Sequence, residues 1–201
     1  MRSVFTLDEN WKFHLGDIVD NDKNSHAQTY SHCKAGGIEG PAGRSYDDAD
    51  WQRVDLPHDY LAYSGFSADN LLSHGYRYRD NAWYRKTFVL GEELKGKHAY
   101  LCFEGTAVNA EFYFNGSLAA HSYSAYVETG IDITDRIQYG PAGINTLAVH
   151  INGLATEGWW YEGAGIYRHV RLYIKEPLHI AHNGVFIKPV KTSEEAWTVY
   201  I

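Results

Sequence analysis

Leu56-Pro57-His58-Asp59-Tyr60 sets a stiff proline before an imidazole and a carboxylate on adjacent residues. A carboxylate there can accept charge-assisted hydrogen bonds from two sugar hydroxyls, with Tyr60 packed as its support. The same pattern also suits a turn cap, because Asp accepts readily from nearby backbone N–H groups. The segment Gly158-Trp159-Trp160-Tyr161-Glu162-Gly163-Ala164-Gly165 places three consecutive aromatic residues between glycines. Neighbouring side chains alternate in direction, so the three rings cannot all be core. At least one must face solvent or a partner domain. An exposed ring beside carboxylates suits a carbohydrate, whose C–H faces stack on a π surface. The alternative is an interdomain packing surface, and both can hold. The candidate binding residues are Asp59, then His58 and Trp159, then Glu162.

Other chemistries fit less well. His179-Ile180-Ala181-His182 spaces two imidazoles three apart, but in extended chain they point to opposite faces. No Cys/His cluster has zinc spacing and no His-Glu-x-x-His occurs, so no metal or cofactor is identifiable from the sequence. There is no Gly-x-Ser-x-Gly nucleophile turn, and Gly163-Ala164-Gly165 precedes a strand-like run, the wrong context for a dinucleotide loop. Glu104, Glu111, Asp132, Asp135, Glu157 and Glu162 could supply a carboxylate pair, which sequence spacing cannot certify. Asp132 and Asp135 are expected to start a turn at Thr134, and Glu104 to end a strand. Cys33 and Cys102 are too few for a disulfide scaffold. A buried thiol at Cys102 with a loop thiol at Cys33 is favoured over a bridge between them.

The elements that must position these residues read as strands. Period-two runs cover Trp11 to Leu15, Ala82 to Leu90, His98 to Glu104, Ala107 to Phe114, Ser117 to Ser122, Tyr126 to Ile133, Asn145 to Asn152 and Ile166 to Ile174. Asn115-Gly116 lies between two of them, the strongest short hairpin signal. Thr134 to Ile137 reads as one helical turn. Strands from far apart must pair, which favours a two-sheet jelly roll over a meander. An immunoglobulin sandwich for residues 1–175 is disfavoured, since its Cys…Trp…Cys arrangement is missing. Gly16 to Asp50 is polar and Gly-rich and reads as a solvated insertion. Glu176-Pro177 marks a boundary, after which Gly184 to Val190 and Ala196 to Ile201 read as two more strands. Ending on an apolar β-type residue, the chain reads as a fragment whose next domain is cut.

The 201 residues suffice for one domain or one plus a fragment. Lys and Arg total 18 against 25 Asp and Glu, a formal charge of -7, which argues against sequence-independent nucleic-acid binding. No apolar stretch approaches the ~18–20 residues of a membrane span, and no signal peptide is visible, which suits a soluble cytoplasmic or periplasmic protein. Tyr 16, Phe 8 and Trp 6 can tile a β core and still leave flat faces for a ligand.

Taken in order, these motifs resemble the N-terminal, sugar-binding jelly-roll domain of glycoside hydrolase family two, the β-galactosidase, β-glucuronidase and β-mannosidase group. Trp11-Lys12-Phe13 resembles the family's opening strand. Tyr46-Asp47-Asp48 leading to Trp51, then Val54-Asp55-Leu56-Pro57-His58-Asp59, is similar to its "D-D-x-x-W … L-P-H-D-W" segment, with Tyr60 in place of the usual Trp. Trp83-Tyr84-Arg85-Lys86-Thr87-Phe88 resembles "W-Y-R-K-x-F", and Phe103-Glu104-Gly105, Asn115-Gly116, Asp132-Ile133-Thr134 and Asn145-Thr146-Leu147-Ala148-Val149 follow in the family's order. Trp160-Tyr161 with Gly163 to Arg168 resembles "W-Y-x-G-x-G-I-Y-R", and His179 to Gly184 the entry into an immunoglobulin-like domain.

The resemblance implies an all-β fold: a jelly-roll, galactose-binding-like β-sandwich over residues 1–177, then the truncated start of an immunoglobulin-like domain over 178–201. It implies a parent enzyme, a retaining exo-β-glycosidase, most simply a β-galactosidase, with β-glucuronidase, β-mannosidase or a stand-alone carbohydrate-binding module as alternatives. In that family both catalytic glutamates lie in a later (β/α)8 barrel. No catalytic residue is therefore expected here, and the fragment is expected to be inactive alone. The barrel would be its partner within the chain and a carbohydrate its substrate; a homo-oligomer and a divalent cation in the parent are both compatible. The implied local role is to complete the rim of the barrel's sugar pocket, and Asp59 occupies the position that contacts the terminal sugar in the galactosidases.

Overall fold

Alternating burial marks the strands: Trp11 and Phe13 point inward, while Lys12 and His14 stay partly exposed. The computed structural model describes residues 2–18, 40–155, 158 and 162–201. Among them, β1 (Arg2–Thr6), β2 (Trp11–Leu15), β3 (Gln52–Val54), β4 (Ala82–Val89), β5 (His98–Phe103) and β6 (Ala110–Phe114) come first. β7 (Ser117–Ser122), β8 (Thr129–Asp132), β9 (Ile144–Ile151), β10 (Val170–Lys175), β11 (Lys188–Lys191) and β12 (Trp197–Tyr200) follow. All pairings between these strands are antiparallel. One sheet runs β3-β2-β4-β9-β6-β7, a second runs β1-β10-β5-β8, and β11-β12 form a separate ribbon. The crossed order, with β1 beside β10 and β2 beside β4, is the two-sheet sandwich expected from the sequence.

The core lies between the two larger sheets. Phe103 on β5 meets Phe112 on β6 across the gap, with ring centroids 4.5 Å apart and both side chains fully buried. Trp11 is also fully buried, and its indole N–H donates to the Leu7 carbonyl at 2.6 Å, so its one polar atom is satisfied. Asn115 and Gly116 take φ of 51° and 81°, as the two-residue β6–β7 turn requires. Thr134 donates its N–H and its hydroxyl to Asp132 Oδ1, and the N–H groups of Arg136 and Ile137 both reach the Ile133 carbonyl, the expected single helical turn.

Several boundaries differ from the sequence expectation. β6 begins at Ala110 rather than Ala107, because Ala107 instead exchanges two backbone hydrogen bonds with Gly165. β10 begins at Val170 rather than Ile166, because the Ile166 carbonyl accepts from His58 N–H. β1 and β3 lack a readable period: every residue of β1 is exposed, and β3 has three residues. The described end of the Gly16 to Asp50 insertion is packed, not solvated. Arg85 points out of the six-stranded sheet yet is 1% exposed, because this segment covers it. Its Nε donates to Asp48 at 2.8 Å, and Nη1 donates to the Gly43 and Pro41 carbonyls. Residues 19–39, Cys33 among them, lie outside the described residues.

Cys102 is buried on the outer side of β5, as expected, and its thiol donates to Glu128 at 3.5 Å. Burial, reinforced by Glu128, pushes the thiol up to about 12. His179 and His182 do not diverge. The chain turns there, with Gly184 N–H bonded to the Ala181 carbonyl, and the two rings pack near His98 and Tyr100 over the same sheet. No helix among the described residues is long and apolar enough to cross a membrane.

Phe112→Ala should lower stability by about 3–5 kcal/mol in urea unfolding, the usual result of emptying a core aromatic site; a loss under about 1 kcal/mol would place the inter-sheet contact elsewhere. Cys102 should resist iodoacetamide at pH 8 in the native chain and react readily once unfolded, because the thiolate is the nucleophile; peptide mass mapping distinguishes it from Cys33.

Candidate functional site

The two segments singled out by residue type lie against each other at one end of the sandwich. Past β3, Leu56 N–H donates to the Asp8 carbonyl, and the chain then runs beside residues 164–166. His58 N–H donates to Ile166 at 2.8 Å and Tyr60 N–H to Ala164 at 3.0 Å. Asp59 caps the short 3₁₀ turn Tyr60–Tyr63. Its Oδ1 accepts from Leu61 N–H at 3.0 Å, from Ala62 N–H at 3.4 Å and, across 105 residues, from Ala164 N–H at 3.0 Å. One oxygen thus gathers three backbone donors. The turn-cap expectation for Asp59 therefore holds at Oδ1, while Oδ2 faces Gly163.

Two glycines permit this approach. A Cβ on Gly163 would sit 2.4 Å from Asp59 Oδ2. One on Gly165 would sit 2.4 Å from the His58 carbonyl oxygen and 2.5 Å from the Tyr84 hydroxyl, and Gly165 also holds φ at +126°. The Gly163-Ala164-Gly165 pattern is thus a close-approach device between two segments, not the dinucleotide loop that its glycine spacing could suggest.

His58 turns the other way from Asp59. Its Nδ1 lies 2.7 Å from the Tyr84 hydroxyl, and its ring meets Phe13 edge-on at 4.8 Å. Burial lowers its pKa, with Asp59 opposing, so the ring is neutral at neutral pH. Together with Phe13, Val54, Pro57, Tyr63 and Tyr78 it lines a cleft of about 640 Å³. Tyr60, the residue under the cap, is buried, and its hydroxyl donates to the Asp80 carbonyl at 2.7 Å. Burial raises its pKa beyond the normal phenol range.

Glu162 is buried, its side chain 3% exposed, with Oε2 4.0 Å from Arg79 Nη2. Arg79 has no counterpart in the sequence-based selection, yet it ties this loop together. Its Nε donates to the Gly153 carbonyl at 2.9 Å, and its Nη atoms donate to the Ala155 and Glu162 carbonyls at 3.3 Å each. No local spacing could have found it, because the carbonyls it holds lie 74 to 83 residues away. Trp159 lies outside the described residues.

Among the described residues, the arrangement offers one Asp59 oxygen that no backbone donor uses, a half-buried neutral imidazole and an aromatic-walled cleft. These are means of binding and positioning. Gly165→Ala should destabilise the protein by at least ~1–3 kcal/mol through backbone strain alone, with the two close contacts adding to it. Thermal unfolding checks this, and an unchanged midpoint would mean that the 58–60 and 164–166 segments are not held this closely.

The sequence profile described as "Glycosyl hydrolase 2 galactose-binding domain-like" matches residues 54–169. A beta-galactosidase of Bacteroides ovatus is 31% identical over 198 residues, spanning 96% of this chain and 20% of that protein. A protein named putative beta-glucuronidase from Formosa agariphila is 29% identical over 198 residues, spanning 97% of this chain and 17% of its own length. Among solved structures, a beta-glycosidase from Bacteroides vulgatus superposes with a TM-score of 0.82 at 27% identity, covering 98% of this chain and 23% of that one. The chain thus spans about a fifth of the length of these relatives. With the β-sandwich and the paired 57–60 and 163–166 segments, the profile match shows that this chain belongs to the glycosyl hydrolase 2 galactose-binding domain-like family.

Proposed function

We propose that this chain is the N-terminal sandwich of a retaining exo-β-glycosidase, which removes terminal β-linked sugars with catalytic glutamates on a downstream barrel, and that it is inactive without that barrel. Residues 178–201, with the β11–β12 ribbon, then begin the next, immunoglobulin-like domain. The observation that carries the local role is the division of labour at Asp59. Oδ1 is used by three backbone donors, which fixes the side chain rigidly, and among the described residues no such bond engages Oδ2. A carboxylate oxygen held in this way accepts a sugar hydroxyl without the entropic cost of ordering a free side chain. His58 contributes the neutral wall of the adjoining cleft. Trp159 is the proposed stacking partner of the sugar, and Glu162 pairs with Arg79. The exposed rings of Tyr63 and Phe66, 81% and 70% exposed, suit burial against the downstream barrel.

The names of the relatives divide between beta-galactosidase and beta-glucuronidase. The chemistry of Asp59 favours the first. An anionic acceptor suits the hydroxyls of a neutral sugar, whereas a uronate carboxylate next to it would be repelled unless a cation intervened.

Asp59→Asn in the full-length enzyme separates the two duties of the residue. The amide keeps an oxygen for the backbone donors and changes the group offered to substrate. kcat/KM on an aryl β-galactoside should fall by roughly ten- to a hundredfold, or about 1–3 kcal/mol, with the unfolding midpoint nearly unchanged. Unchanged kcat/KM on both the β-galactoside and the β-glucuronide would remove Asp59 from the sugar pocket and leave it a structural cap.

A further inference from the structure

The outer side of the four-stranded sheet carries a cluster that the sugar site does not use. The chain between β10 and β11 crosses this face, and His182 settles over two tyrosines, its ring 4.8 Å from Tyr100 and 5.4 Å from Tyr173. Tyr100 lies against the neighbouring strand because Gly130 has no side chain; a Cβ there would sit 1.6 Å from the Tyr100 hydroxyl. Into this aromatic slot come three donors from three parts of the chain. Cys102 rises from β5, Glu128 stands just before β8, and His182 comes from the crossing segment. His182 Nε2 is 2.9 Å from Glu128 Oε1, and Cys102 Sγ is 3.5 Å from Glu128 Oε2. The sulfur, one nitrogen and one carboxylate oxygen all lie within 4.8 Å of one another. Asn183 donates to Glu128 Oε1 at 2.6 Å and so orients the carboxylate.

We infer that Cys102, Glu128 and His182 form a binding site for one zinc-type divalent cation, which clasps the segment after β10 to the sheet. A thiolate, an imidazole and a carboxylate are the three ligand types of this borderline-soft ion, and a set containing sulfur does not suit magnesium or calcium. Metal–ligand bonds of ~2.0–2.3 Å in a tetrahedron separate the donor atoms by about 3.3–3.8 Å. The three donors therefore close round an ion with movements of about an ångström. Thiolate and carboxylate together balance the two positive charges. The Cys102 proton, now donated to Glu128, leaves to solvent as the metal–sulfur bond forms. The ion thereby ties β5 and the chain before β8 to residue 182, six residues before β11 starts, and so fixes the direction in which the chain leaves the sandwich. Spacing along the sequence hides the site, since its members are 26 and 54 residues apart.

The test uses full-length protein stripped with a chelator and titrated with Co²⁺ alone, then with Zn²⁺ in competition. One equivalent of Co²⁺ should develop the near-ultraviolet absorption of a thiolate-to-cobalt charge transfer, and Zn²⁺ should abolish it. Cys102→Ser should remove the band, and Cys33→Ser should leave it intact. His182→Ala and Glu128→Gln should weaken binding at least tenfold. Residue 182 lies on the crossing segment outside the core, so that variant remains informative even if Cys102→Ser folds poorly. Absence of a band in the unmodified protein, or a band that survives both Cys102→Ser and His182→Ala at full strength, would overturn the assignment.

Discussion

One oxygen atom, Asp59 Oδ1, joins the 57–60 and 163–166 segments at one end of the sandwich. It accepts backbone N–H groups from its own turn and from Ala164, a residue on a different loop. The two segments share backbone bonds from His58 to Ile166 and from Tyr60 to Ala164, but the N–H groups of Leu61 and Ala164 need another acceptor, and each buried donor left unbonded would cost about 1–3 kcal/mol. The carboxylate resolves this at a single point. The glycines at 163 and 165 are the complementary half of the constraint, because a side chain at either would collide with Asp59, or with His58 and Tyr84. The His58 wall and the burial of Tyr60 both depend on this close approach.

Two arginines with largely covered side chains extend the same logic. Arg85 fastens the described end of the insertion to the six-stranded sheet, and Arg79 fastens the loop around Gly153 to Glu162. In each case the guanidinium spends most of its donors on main-chain carbonyls and keeps a carboxylate nearby. A planar group with five N–H donors is suited to loops whose carbonyls converge without regular pairing. Burying such a cation is costly unless every donor is used, so the loops are committed to their conformation once the pair is buried. The positions of His58 and Asp59 are thus fixed from the sheet outward.

The outer face of the four-stranded sheet carries a second anchorage. There the crossing segment after β10 lies on the four-stranded sheet through His179 beside His98 and His182 over Tyr100 and Tyr173. A linker held along a sheet transmits the orientation of that sheet to whatever follows it, whereas a free linker would let the next unit swing. The chain after β10 thus leaves the sandwich along the outer face of the four-stranded sheet.

The strands with clear alternation, the Asn115-Gly116 turn and the cap at Thr134 are all legible in the sequence, because each depends on neighbours within a few residues. So is the interest of residues 56–60 and 158–165, where unusual residue types stand together. Edge strands such as β1, with no buried face, leave no period to read. What only the tertiary structure decides is which atoms of the interesting residues are already engaged: Oδ1 of Asp59 by Ala164, Glu162 by Arg79, and Cys102 by Glu128. These partners come from loops and strand ends that meet only once the antiparallel strands carrying them are in register, and a slip of one residue there would turn every strand side chain to the other face. A linear sequence sets the alternation, but the pairing that converts distance along the chain into contact is settled only when the two sheets close over a common core.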